Sequence, residues 1–104
     1  MYYVYLIQSL KTDKFYIGYT SDLRERLRQH NTGKSIATKA YIPYELVYYE
    51  AYKSKEDAIV REYSLKHYGQ GFRRLKERLK KSILNASYVR GKSPRPPKTS
   101  GRGE

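Results

Sequence analysis

Two tyrosines near the start of the chain have the residue type and spacing to share one chemical task. In the hairpin that the surrounding residues predict, Tyr5 lies opposite Gly18, which makes Tyr5 and Tyr16 diagonal neighbours on one face. A glycine on that face leaves room for a ligand or another backbone to approach. Tyrosine is also a common strand residue, so the pair alone is more typical of ordinary sheet packing.

Arg26 and His30 form the second candidate pair. They are four residues apart on a predicted helix and therefore share one of its faces. An arginine beside a histidine on a basic surface is typical of phosphate binding, because the guanidinium offers a two-pronged donor. A solvated helix face is the alternative interpretation.

Glu62 is the candidate metal ligand. It borders the apolar stripe of a later predicted helix, where a carboxylate is uncommon unless it is paired, and Lys66 follows four residues on. The plain interpretation is a surface ion pair. Magnesium, however, needs only one or two protein carboxylates, because water and phosphate complete its ligand shell.

The chain is strongly basic, with 22 Lys and Arg against 10 Asp and Glu and a net charge of +12. Such a field attracts polyanions, and nucleic acid is the commonest large polyanion of a cytoplasm. The predicted third helix carries a basic run in which Arg73, Arg74 and Lys76 are candidates for contacts with a phosphate backbone. A ribosome-associated or merely soluble basic protein is the alternative.

A small set of elements must position these residues. Composition, periodicity and capping residues predict strands at 2–8, 15–20 and 44–53, and helices from Asp22 to Gly33, from Ser54 to a break at Gly69-Gln70-Gly71, and over 72–84. The order ββαβαα predicts an α+β domain that begins with an antiparallel pair. The predicted buried stripe of the second helix consists of Ala58, Ile59, Tyr63 and Leu65.

Length and composition limit the fold. The 104 residues suffice for one domain, predicted at 1–85, and the basic, Pro- and Gly-containing segment 86–104 is predicted to be a disordered tail. The lack of cysteine excludes a disulfide framework and a thiolate zinc site. We expect a cytoplasmic protein, since no apolar run is long enough for a membrane span and no secretory signal is recognisable.

The order and spacing of the candidate residues resemble a known family. The following series closely resembles the GIY-YIG nuclease domain: Tyr3-Val4-Tyr5, ten further residues, Tyr16-Ile17-Gly18, a helix with Arg26 and His30, and Glu62 on a later helix. The stretches YIGYTSDLRERLRQHNTGK and ELVYYEAYKSKEDAIVREYSLK are similar to its small single-domain bacterial members. The resemblance covers roughly residues 2–80, with Tyr3 where the family name has glycine.

The resemblance implies a small three-stranded antiparallel sheet flanked by helices. It also implies hydrolysis of phosphodiester bonds in DNA with one divalent ion, Mg²⁺ or Mn²⁺. The residues that match the catalytic positions are Tyr5, Tyr16, Arg26, His30 and Glu62, of which Glu62 is the implied metal ligand. The predicted substrate-binding residues are Gly18, Lys66, Arg73, Arg74 and Lys76, and Asn85 is the late candidate for an asparagine that some branches carry.

The first functional hypothesis is therefore a metal-dependent DNA endonuclease that selects DNA structure rather than sequence. A non-catalytic nucleic-acid-binding module on the same scaffold is the second hypothesis, and a basic structural or ribosome-associated protein is the third. DNA is the expected partner, and neither a membrane nor a nucleotide cofactor is expected. The identity of the basic tyrosine, the oligomeric state and the pathway (repair, recombination or defence against foreign DNA) stay open at this point.

Overall fold

The computed structural model describes residues 1–83. Its elements are β1 (Tyr2–Ser9), β2 (Phe15–Thr20), α1 (Leu23–Asn31), one 3-10 turn (Lys39–Tyr41), β3 (Tyr44–Tyr52), α2 (Lys55–His67) and α3 (Gly69–Arg78). This order confirms the predicted ββαβαα arrangement of an α+β domain. None of the helices in this part of the chain is long and apolar enough to cross a membrane. The predicted tail at 86–104 and Asn85 lie outside the described residues.

The sheet has the strand order β2-β1-β3, and both pairings are antiparallel. Tyr5 on the central strand lies opposite Gly18 on β2 and opposite Tyr49 on β3, which confirms the predicted hairpin register. β2 is an edge strand, so a side chain from a neighbouring helix can reach around it from one face of the sheet to the other.

Side chains alternate along β1 and divide the core into two layers. Val4 and Leu6 pack with the apolar side chains of α2 and α3. Tyr5 and Ile7 point to the opposite face and pack with side chains of α1. The face that carries the candidate tyrosines is therefore the face that α1 covers.

The two helix starts predicted from capping residues, at Asp22 and Ser54, are confirmed. The Asp22 side chain accepts a hydrogen bond from the Glu25 amide at 3.1 Å, and the Ser54 hydroxyl accepts one from the Asp57 amide at 3.4 Å. Such caps satisfy amide groups that have no partner inside the helix. The end of α1 is followed by Gly33, whose φ of 81° lies in the left-handed region that favours glycine.

The predicted buried stripe of α2 is wrong at two of its four positions. Ile59 and Tyr63 are exposed, at 42% and 52%. A helix turns by about 100° per residue, so these two positions fall in a row next to the buried one. The buried row contains Ala58 and Leu65 with polar side chains between them.

The prediction that Gly69-Gln70-Gly71 separates two helices is also wrong, because these residues form the first turn of α3. The break is one residue earlier, at Tyr68, whose φ of −118° and ψ of 94° are extended. A Cβ added at Gly71 would meet the Leu65 side chain at 3.9 Å, which places this glycine where α2 and α3 touch. The helix ends at Arg78, before the predicted end at residue 84.

Candidate active site

The Tyr5 phenol is enclosed in the core, with 1% of the residue exposed. It lies across Gly18 so closely that a Cβ added to this glycine would be 2.2 Å from the phenol oxygen. The space predicted for a ligand is therefore filled by Tyr5 itself. This corrects the predicted role of Gly18 from substrate binding to packing.

Tyr5 begins a buried chain of hydrogen bonds that links three elements of the fold. Its hydroxyl oxygen is 2.8 Å from Nε2 of His30 on α1. The other ring nitrogen, Nδ1, is 2.7 Å from the hydroxyl oxygen of Thr38, which lies just before the 3-10 turn. His30 and Thr38 are both fully buried, at 0% exposure. Sequence reasoning missed Thr38, because it lies in a segment with no periodic pattern.

Burial keeps both partners of this chain neutral near pH 7. Burial raises the pKa of Tyr5 to about 12, against the opposing effect of the Arg26 guanidinium and with smaller increases from Tyr16 and Glu62. Burial also lowers the pKa of His30 to about 4, and the positive charge of Arg26 adds to that effect.

These protonation states allow the Tyr5 hydroxyl to donate to Nε2 of His30, with Arg26 facing its oxygen. In that arrangement the single proton of the neutral imidazole is on Nδ1 and is donated to Thr38. The sequence analysis interpreted Arg26 and His30 as a pair that binds phosphate at the surface. This interpretation is wrong for His30, which is buried and contacts the Tyr5 phenol. Arg26 itself is half-buried beside the phenol.

Tyr16 lies on the same face as Tyr5 but is only half-buried. The centre of its ring is 5.1 Å from the His30 ring and 6.5 Å from the Tyr5 ring. The predicted diagonal tyrosine pair is therefore present, with the histidine next to both rings. Of the two phenols, Tyr16 is the one nearer to solvent.

Lys66 and Glu62 reach this group from the other side of the sheet. α2 packs against the Val4 and Leu6 face, yet the Lys66 ammonium is 5.2 Å from the centre of the Tyr16 ring. The same ammonium is 3.0 Å from a carboxylate oxygen of Glu62, which confirms the predicted ion pair. The Glu62 charge is also near enough to raise the pKa of Tyr5. The two tyrosines and the glutamate therefore meet at the β2 edge.

Glu62 has the chemistry of a magnesium ligand. Within residues 1–83 no three His, Cys, Asp or Glu side chains gather at one point, so an ion would be held by this one carboxylate. The Glu62 side chain is 23% exposed, which leaves room for water and a phosphate oxygen around it. Such a shell suits Mg²⁺, which keeps several waters and accepts one or two carboxylates.

The basic run of α3 is divided between two flanks of the helix. The Lys76 ammonium is 4.7 Å from the ring of Phe72 and 5.7 Å from that of Phe15, which places it beside the start of β2. Arg73 is close to this flank by helical spacing, whereas Arg74 is about 160° from Lys76 around the helix. Of the three predicted phosphate contacts, Arg74 therefore points away from the β2 edge.

A second polar cluster, which the sequence analysis missed, joins β3 to α2. Arg61 donates to both carboxylate oxygens of Glu50 at 2.9 Å, and the hydroxyls of Tyr48 and Tyr52 donate to the same carboxylate. Burial alone would raise the pKa of Glu50, but these hydrogen bonds lower it. The cluster fixes α2 to the sheet at the residue next to Glu62.

A cavity of about 520 Å³ lies at the other end of the tyrosine face. Its walls come from α1, the central strand β1 and the outer strand β3, and they include Tyr3, Leu23, Leu27 and Tyr49. Arg26 and Tyr16 are not among the residues that line it. The cavity is therefore separate from the group at the β2 edge.

The chain is similar in sequence to several known proteins. The model of the GIY-YIG catalytic domain matches residues 1–76. UPF0213 protein SH2523 of Staphylococcus haemolyticus is 39% identical over 70 residues, which cover 66% of this chain and 84% of that protein. UPF0213 protein YazA of Bacillus subtilis is 32% identical over 87 residues, which cover 83% of this chain and 88% of that protein.

A UPF0213 protein of Streptococcus pneumoniae serotype 4 is 42% identical over 65 residues, and the match spans 62% of this chain but only 65% of that protein. The solution NMR structure of the UPF0213 protein BH0048 from Bacillus halodurans has a TM-score of 0.46 and 36% identity, with 88% of this chain and 94% of that one covered. The family model spans every candidate residue from Tyr5 to Lys76. The chain therefore belongs to the GIY-YIG family and, within it, is related to the UPF0213 proteins.

Proposed function

We propose that this chain is a metal-dependent DNA endonuclease whose active site is the group of residues at the β2 edge. The observation that carries the proposal is the meeting of a buried phenol, an arginine and a carboxylate from three different elements, β1, α1 and α2. Phosphodiester hydrolysis needs these three kinds of group: one to handle a proton, one to balance charge on the phosphate, and one to hold a metal ion.

Two cations are available to hold the scissile phosphate. Arg26 is half-buried next to Tyr5, where a partly desolvated guanidinium attracts a phosphate oxygen strongly. Lys66 lies over Tyr16 at the more exposed side. A phosphate between them would face the Tyr5 hydroxyl, and positive charge would be in place where negative charge develops during cleavage.

The Tyr5–His30–Thr38 chain handles the proton in this proposal. The Tyr5 hydroxyl oxygen is 2.8 Å from Nε2 of His30, so it would pass its proton to this nitrogen as it accepts one from the attacking water, and His30 would end the step as an imidazolium. The Thr38 hydroxyl can accept from Nδ1, which suits the tautomer whose Nε2 accepts from Tyr5. The half-buried Tyr16 then orients water or phosphate at the mouth of the site. These roles make Tyr5 the candidate base and His30 the acceptor of the proton that Tyr5 passes on.

Glu62 would hold the metal ion, which in such enzymes acts as a Lewis acid on the phosphate and the leaving oxygen. The carboxylate is held near the phenols by the Arg61–Glu50 cluster one residue away. Lys66 must turn from Glu62 for an ion to bind, and a phosphate oxygen offers the ammonium a new partner.

We further propose that the enzyme selects DNA by its structure rather than by its sequence. The cationic side chains around the β2 edge suit phosphate oxygens, and phosphate contacts position a protein without reading base sequence. The match to the catalytic domain takes up 76 of the 83 described residues. This leaves little of that part of the chain for a separate element that enters a groove.

The test is a panel of labelled duplex, flap, fork and junction DNAs incubated with and without Mg²⁺ or Mn²⁺. We expect metal-dependent cleavage that Glu62→Gln reduces by more than about a hundredfold. Glu56→Gln, which changes an exposed carboxylate in the first turn of the same helix, is the matched control and should cleave like the original protein. DNA binding without cleavage under any metal would instead support the binding-module hypothesis.

A further inference from the structure

α2 presents an aromatic surface that the proposed reaction does not use. Tyr63 and His67 are four residues apart, and their rings stack with centres 4.0 Å apart and planes 20° apart. Tyr68 meets the Tyr63 ring edge-on at 6.0 Å. Tyr63 and Tyr68 nevertheless remain 52% and 60% exposed. We call these three residues the aromatic ridge, and much of its ring surface faces solvent.

The aromatic ridge borders the candidate active site. Tyr63 follows the metal-ligand candidate Glu62 by one position, and His67 follows its partner Lys66 by one position. Tyr63 is turned from Glu62 by about 100° around the helix axis. Arg61, which binds Glu50, is turned from Glu62 by the same angle in the other direction. The ring stack therefore lies on the Glu62 flank of α2, farther from the sheet than the carboxylate.

Exposed flat rings next to the cationic side chains of the β2 edge suit the base of a nucleotide better than they suit an apolar side chain of a protein. Stacking on aromatic side chains is a common way to bind single strands, because every base has a flat face. Inside a duplex both faces of a base are already covered by its neighbours. Only a base that is unpaired or terminal can be received by such a surface.

We propose that the aromatic ridge stacks against an unpaired base of the strand whose phosphate lies at Glu62. The inference rests on the proposed nuclease function and names its substrate class, DNA with an unpaired nucleotide next to the cleavage point. A second copy of the chain fits this surface less well. The ridge is narrow, Lys66 lies beside it, and a net charge of +12 on each copy opposes close approach.

Binding is measured without metal, in EDTA, so that cleavage does not enter the result. The probes are two duplexes of equal length, one blunt and one with a short 3′ overhang, each with 2-aminopurine at the strand end to report stacking. The variants are Tyr63→Ala and Tyr63→Phe. The matched control is Tyr49→Ala, because Tyr49 is 51% exposed and lies on β3, at the opposite edge of the sheet.

The original protein should prefer the overhang, and Tyr63→Ala should reduce affinity for it by about tenfold with little change for the blunt duplex. Tyr63→Phe keeps the ring and should retain the preference, as should Tyr49→Ala. Equal overhang binding by Tyr63→Ala and the original protein would overturn the inference, whatever the cleavage assay shows. Concentration-dependent dimers that Tyr63→Ala abolishes would overturn it in favour of a second copy.

Cleavage of the same two DNAs in Mg²⁺ separates this inference from the proposed function. Metal-dependent cleavage by Tyr63→Ala with no loss of overhang preference means that the enzyme exists and the ridge is not its base platform. Selective loss of overhang cleavage in Tyr63→Ala, with the blunt duplex cut as before, supports the inference.

Discussion

The Tyr5 ring lies across Gly18 on the neighbouring strand, and no other residue type fits beneath it. The hypothetical Cβ distance of 2.2 Å to the phenol oxygen is far below any ordinary contact. The glycine of the second family motif therefore holds the tyrosine of the first motif in place. These two positions, thirteen residues apart in sequence, act as one packing unit, and its tyrosine is the first member of the buried chain to His30.

Gly18→Ala should displace the Tyr5 ring. We expect the free energy of unfolding to fall by about 1–3 kcal/mol, because extra volume in a packed core forces side chains from their positions. Gly71→Ala is the matched control, since its added methyl would meet only an ordinary 3.9 Å contact with Leu65. Urea unfolding measures both, and equal stability of Gly18→Ala and the original protein would contradict the packing role.

Tyr5→Phe should reduce the proposed cleavage by about 10²–10⁴-fold, because it removes the hydroxyl that exchanges the proton with water. The ring remains, but Nε2 of His30 loses its buried partner, so stability should fall by about 1–3 kcal/mol. Tyr19→Phe is the control, since Tyr19 packs on the opposite face against Tyr2. Single-turnover cleavage at saturating enzyme is the measurement, and full activity of Tyr5→Phe would exclude it as the base.

The buried neutral state of His30 predicts loss of stability in acid. Its pKa is about 4 in the folded protein and about 6.5 when unfolded, so below pH 6.5 the unfolded chain binds a proton that the folded one excludes. Stability is therefore fully present above pH 6.5 and falls toward pH 4, by at most about 1.4 kcal/mol per pH unit.

Urea unfolding between pH 4 and 7.5 tests this prediction on the original protein, His30→Gln and His67→Gln. The slope should persist in His67→Gln, because that histidine is exposed, and should flatten in His30→Gln. The same slope in all three proteins would assign the effect to other groups.

The two arginine–glutamate pairs should differ in strength. Arg61→Ala leaves the Glu50 carboxylate, whose side chain is 14% exposed, without its two-pronged partner, and should cost about 2 kcal/mol. Arg28→Ala breaks a pair whose side chains are 53% and 43% exposed, and should cost much less, because water screens such a pair. Thermal and urea unfolding compare the two, and equal losses would refute the anchoring role. Cleavage should also fall in Arg61→Ala, because Glu62 is the next residue.

Local patterns explain what the sequence could predict of the fold. The length of the polar turn set the register that brings Tyr5 opposite Gly18, and the side chains of Asp22 and Ser54 marked two helix starts. The α2 stripe failed because two rows of the helix are comparably apolar. Packing against the sheet, rather than periodicity, decides that the row of Ile59 and Tyr63 stays outside.

The sequence could not predict the parts of the site that depend on long-range contacts. Thr38 meets His30 only after the segment beyond α1 folds back, and no local signal marks that hydroxyl. Arg61 contacts Glu50 across the turn between β3 and α2. It donates two hydrogen bonds at once, which requires the folded arrangement of the helix and the strand. The family motifs identified Tyr5, Tyr16 and Glu62, and their chemical roles stay predictions.

At the β2 edge, the Lys66 ammonium is the counter-ion of the Glu62 carboxylate. This ammonium, 3.0 Å from the Glu62 carboxylate, cancels the negative charge that would otherwise repel a polyanion. In the proposed nuclease, DNA can thus dock before any divalent ion arrives. An incoming phosphate would then draw the lysine away and uncover the carboxylate. Binding of the ion would in this way depend on the substrate, with DNA arriving first and the ion second.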